Sequence, residues 1–73
     1  MFKYRSTKKA HKKFQRAAER YKTFLDATIE MGYGTYTNEE IVNAGREDLV
    51  AEEERLRERM LKAKDELLAA YGL

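Results

Sequence analysis

Seventy-three residues with no cysteine and a single histidine exclude disulfides and thiolate zinc sites, so a core of marginal size must be supplemented by idealised helix packing or by self-association. Charged residues make up 38% of the chain and proline is absent, close to the Ala/Glu/Lys/Leu/Arg bias of long helices. No apolar run approaches the roughly 20 residues of a membrane span, and the Lys- and Arg-studded N-terminus lacks the apolar centre of a signal peptide, so a cytoplasmic protein with no membrane partner is expected.

The net charge of +2 hides an asymmetry. Residues 1–22 carry nine cations (Lys3, Arg5, Lys8, Lys9, Lys12, Lys13, Arg16, Arg20 and Lys22) against Glu19 alone, a balance of +8, while residues 23–73 hold six basic and twelve acidic side chains, a balance of −6. Such polarity between halves points to a polyanionic partner or to self-pairing.

A first helix is predicted over about residues 6–31, with Ser6 or Thr7 as N-cap. Ala10, Phe14, Ala17, Ala18, Tyr21, Phe24, Leu25, Thr28 and Met31 recur there at helical spacings of three and four. At about 100° per residue they form one stripe, and Arg5, Lys9, Lys12, Lys13, Arg16 and Arg20 fall on the opposite side. Residues 32–37 form a hinge in which Gly32 or Gly34 supplies the left-handed terminator. Thr37 and Glu40 have capping-box spacing and predict a short helix over about 38–44, broken at Gly45. A last helix over about 46–71 carries Leu49, Leu56, Met60, Ala63, Leu67 and Ala70 on one line. Its stripe widens after residue 60, as expected of a segment facing more than one neighbour. Of its i,i+4 pairs, Glu53–Arg57 and Glu58–Lys62 are attractive.

The fold expected is all-α: an antiparallel hairpin of two long helices with a short middle helix, a single domain over residues 1–73. A hairpin leaves much of each stripe uncovered, so dimerisation into a four-helix bundle is expected, with a three-helix monomer folded back at Gly45 as the alternative.

Catalysis requires a nucleophile beside a base, converging carboxylates or a metal, and the sequence assembles none of these. No catalytic residue, metal or cofactor is assigned, and the chain is not expected to be an enzyme. His11, amid Lys8, Lys9, Lys12 and Lys13, reads as a boundary residue or a phosphate contact. Glu52, Glu53 and Glu54 diverge by about 100° each on a helix and read as a solvated face. The segment Gly32-Tyr33-Gly34 lacks the strand and the Lys-Ser/Thr of a phosphate loop.

The basic face carries the functional reading. Arg5, Lys8, Lys9, Lys12, Lys13, Arg16 and Arg20 are placed to follow an RNA or DNA backbone by counterion release. The competing readings are an acidic protein surface as partner, and self-neutralisation against the acidic 47–58 segment of a second copy. Tyr33 and Tyr36 form a second candidate site at the hinge, as stacking platforms or interface anchors, with one of them expected to plug the hairpin end and the other to stay exposed. The chain carries no ribonucleoprotein motif, zinc-finger spacing or helix-turn-helix. In size and style it resembles the small accessory proteins by which phages and mobile elements disable or redirect a host factor. Two functions are therefore carried forward: a nucleic-acid-binding protein, and a protein-binding regulator or inhibitor of a host RNA polymerase, nuclease or CRISPR effector. Proximity of the acidic 47–58 segment to the basic face would count against the first.

Overall fold

The computed structural model describes residues 2–72, with side chains from residue 7 onward. Three helices account for most of it: α1 over Phe2–Glu30, α2 over Asn38–Asn43 and α3 over Glu47–Ala70. Helix α1 packs along α3, and α2 packs on α3 at the hinge end. Lys13 meets Glu66 and Tyr21 meets Glu53, so α1 and α3 run antiparallel. The body measures 51 × 18 × 16 Å. This is the expected helical hairpin. Its first helix starts earlier than predicted, at Phe2, so neither Ser6 nor Thr7 is its cap.

Two turns of the same kind end α1 and α2. Gly32 adopts φ 95°, the Tyr33 amide donates to the Thr28 carbonyl and the Gly32 amide to that of Ile29. At the second turn Gly45 adopts φ 80°, the Arg46 amide donates to Ile41 and the Gly45 amide to Val42. Both are Schellman motifs, in which a left-handed residue lets the chain turn back on the last carbonyls, a conformation glycine alone adopts without penalty. Gly34, the other candidate terminator, keeps an ordinary φ. The Thr37 capping box forms as predicted: its hydroxyl accepts from the Glu40 amide, and the Glu40 carboxylate accepts from the Thr37 amide.

The buried core is Ala17, Ile41, Leu49, Leu56 and Ala63. Ile41 reaches it from α2, which explains why so short a helix is held. The other predicted stripe residues of α1, from Ala10 and Phe14 to Leu25 and Thr28, are half-buried, and Met31 is exposed. A pair of helices has one contact seam, and a stripe wider than that seam keeps its edges in water. The widened stripe of α3 follows the same rule: Leu61, Leu68 and Tyr71 are exposed. Glu53 reaches Arg57 at 3.7 Å, whereas the expected Glu58–Lys62 pair does not close and Arg55 instead meets Glu52 at 2.6 Å.

Candidate nucleic-acid interface

Ala17 on α1 and Ala63 on α3 are small enough to bring the two helices close, and Ala63 is only 2% exposed. Over this pair lies a groove of about 530 Å3, lined by Lys9, Lys12, Lys13, Arg16, Ala17 and Arg20 from α1 and by Arg59 and Ala63 from α3. Six cations thus surround an alanine floor, and no carboxylate lines the groove. Five of the seven predicted binding residues come together here. The expectation that they stand opposite the apolar stripe is corrected: they occupy its shoulder, because the helix seam is narrow and Lys13 and Arg20 lie beside it. Their aliphatic stems cover the floor while their charged ends stay in water.

The other two predicted residues are elsewhere. Lys8 lines a shallow depression with Thr7, His11, Lys12 and Gln15 of α1 and with Tyr71, the C-cap of α3. Arg5 lies in α1, and its side chain is outside the described residues. Sequence reasoning missed Arg59, which sits in the acidic half of the chain. The signal was the antiparallel pairing itself, which brings the second half of α3 beside the first half of α1.

That pairing also decides where the negative charge goes. Residues 23–54, comprising the end of α1, the hinge, α2 and the start of α3, hold nine carboxylates against Arg46 alone, a balance of −8. At the opposite end, residues 7–22 hold seven cations against Glu19, and residues 55–72 hold five against Glu58, Asp65 and Glu66, together +8. Within one chain the acidic 47–58 segment starts at the hinge end and reaches the middle of the hairpin, where Glu53 meets Tyr21 next to Arg20, and none of its carboxylates lines the groove. Among the described residues one groove cation has an acidic partner: the Lys13 ammonium donates to Glu66 at 2.8 Å and holds that carboxyl below its ordinary pKa.

At the hinge the Tyr33 and Tyr36 rings meet edge to face with centroids 5.1 Å apart. Tyr33 is half-buried and Tyr36 is 44% exposed. Both line a small cavity of about 290 Å3 with Leu25, Ile29, Ile41 and Leu49 among its other walls. In the middle of the hairpin the Tyr21 hydroxyl donates to Glu53 at 2.9 Å; burial, then this carboxylate, raises the tyrosine pKa.

No group of three or more His, Asp or Glu among the described residues is placed to hold a metal ion, and no described helix is long and apolar enough to cross a membrane. No family model, curated protein or solved structure matches the chain.

Proposed function

We propose that this chain is a non-enzymatic nucleic-acid-binding protein whose α1–α3 groove follows an RNA or DNA backbone, and that it works as a pair of hairpins packed into a four-helix bundle. The observation carrying the first part is the groove: six cations drawn from both helices and no carboxylate in its walls. Cations so placed release condensed counterions from a phosphate chain and need no base contact to do so. The second part rests on the thin core, since no large side chain among the described residues is fully buried. A gel-shift titration of unrelated DNA and RNA sequences at two salt concentrations tests the function. The expected result is binding that weakens steeply with salt, and that weakens for every sequence when Arg16 and Arg20 are both changed to Glu. Absence of binding at low salt, where such contacts are strongest, overturns it.

A second reading is favoured by Tyr36, an exposed aromatic braced by Tyr33. Tyrosines of this kind anchor protein interfaces, which suits a regulator or inhibitor of a host factor acting in the cytoplasm. Retention of one host protein from nuclease-treated lysate, lost on Tyr36→Ala, is the outcome that supports this reading over the first.

A further inference from the structure

Tyr36 and Tyr71 are the two exposed aromatic side chains among the described residues, at 44% and 55%, and they stand in opposite fields. Tyr36 belongs to the hinge end, where a balance of −8 repels phosphate, and Tyr71, the C-cap of α3, to the end that carries +8. Facing Tyr71 are Lys8, His11, Lys12 and Gln15 of α1, with which it lines a depression of about 390 Å3 that has no carboxylate in its walls. The volume is at the lower end of small-ligand sites, enough for one nucleobase.

The depression is continuous in charge with the α1–α3 groove. Lys12 lines both. At about 100° per residue, Lys13, Lys9, Lys12 and Lys8 follow one another around α1 in steps of roughly 40–60°. Residues 8–13 contain no acidic side chain, so a band of cations leads from the groove over the outer side of α1 to the tyrosine ring.

An aromatic ring set among cations is the combination that holds a single strand: the cations take the phosphates and the ring takes the face of a base. In a duplex each base face is covered by its neighbours, and the ring finds nothing to stack on. The groove lining holds no aromatic side chain, so the groove by itself does not distinguish the two forms. Tyr71 does.

We infer that Tyr71 is the base-stacking residue of a single-stranded nucleic-acid site, in which the strand leaves the groove over Lys9 and Lys12 and lays one base on the Tyr71 ring. Lys8 and Lys12 hold the phosphates on either side of that base. This rests on the nucleic-acid binding proposed above and names the form of nucleic acid that the site takes.

Filter-binding titrations of an oligodeoxythymidylate and of a long duplex, whose ends are a negligible fraction of its sites, compare the wild type with Tyr71→Leu and Tyr71→Phe. Leucine keeps apolar bulk against α1 and removes the ring face, and circular dichroism checks that the helices persist. Tyr71→Leu is expected to lose about 5- to 150-fold in affinity for the single strand, the worth of one base–aromatic stack. Its salt dependence stays that of the wild type because no charge is removed, Tyr71→Phe binds normally, and duplex affinity is the same in all three. In the wild type, a 5-iodouracil carried by the strand is expected to crosslink to Tyr71 on irradiation. Single-strand affinity untouched by Tyr71→Leu, an equal loss on the duplex, a loss as large at Tyr71→Phe, or crosslinks confined to other residues each overturn the stacking site. A wild type that binds the duplex and not the single strand at low salt does the same, and all of these leave the groove's function standing. Binding to neither form overturns both.

Discussion

Lys13 and Glu66 meet at 2.8 Å across the hairpin, the only ion pair joining α1 to α3 among the described residues. The contact defines the register, and it pairs one cation of the groove with a carboxylate. Both side chains are well exposed, at 61% and 41%, and exposed pairs add little stability. Glu66→Gln therefore leaves the thermal midpoint nearly unchanged at neutral pH. It frees Lys13, however, and the log–log salt dependence of nucleic-acid binding steepens by up to about 0.9 for a duplex or about 0.7 for a single strand. A filter-binding salt series on wild type and variant measures the difference.

The same pair sets an acid response. Its Lys13 partner depresses the Glu66 pKa in the fold, so its small contribution to stability is complete above the unfolded carboxylate value and is lost as pH falls through the lower, folded one. Asp48, held down in the same sense by Arg46, adds a second contribution with the same sign. Thermal melts between neutral pH and about pH 3, below the ordinary carboxylate range, are expected to show a falling midpoint for the wild type and a shallower fall for a Glu66→Gln, Asp48→Asn double variant.

Tyr21 responds at the alkaline end. Burial and the Glu53 carboxylate raise its pKa, so the folded chain holds this proton longer than the unfolded chain does. The associated stability is intact below about 10, the ordinary tyrosine value, and is lost as pH rises through the folded value. Tyr21→Phe removes the hydrogen bond at a cost of about 1 kcal/mol and flattens that alkaline loss. Denaturant melts at neutral pH and above about pH 10 separate the two effects.

Core substitutions test the seam. Leu56→Ala is expected to destabilise by about 2–5 kcal/mol as a large-to-small change. Ala63→Leu acts in the opposite way: Ala63 is 2% exposed beside Ala17, so a longer side chain forces the helices apart at a cost of about 1–3 kcal/mol. Urea midpoints read both. Indifference at Ala63 would mean that the helices are not held together at the groove floor.

Most of this architecture is local and legible in the sequence. The spacing of Phe14, Tyr21 and Leu25, the Thr37–Glu40 box and the two turn glycines each depend on residues within a few positions. The consequence of the pairing register is not local. Arg59 looks like one cation in an acidic helix until α3 is folded back, when it completes a groove begun by Arg16 and Arg20. The acidic 47–58 segment of a second copy reads in sequence as a neutralising partner for the basic face; antiparallel folding starts it at the hinge end of its own chain and brings only Glu53, on Tyr21, near the groove, with none of its carboxylates in the lining. The width of the apolar stripe is legible too, yet not that the hairpin buries its middle and leaves Leu61, Leu68 and Ile29 at the edge.

Arg59 provides the sharpest test of the groove. If binding runs along α1 alone, as a basic helix acting by itself, a charge reversal on α3 is a remote change. If the groove is the site, Arg59→Glu places a carboxylate in a lining that holds none and weakens binding to unrelated DNA and RNA sequences about as much as Arg16→Glu does. Loss of one phosphate contact flattens the log–log salt dependence by about 0.9 for a duplex or about 0.7 for a single strand. Lys62→Glu, a cation of α3 outside the groove lining, is the matched control, with the same charge change and the smaller expected effect. Gel-shift titrations of the three variants at two salt concentrations compare them directly. Equal losses at Arg59 and Lys62 would show that net charge alone matters, whereas a loss specific to Arg59 and Arg16 places the phosphate chain between α1 and α3.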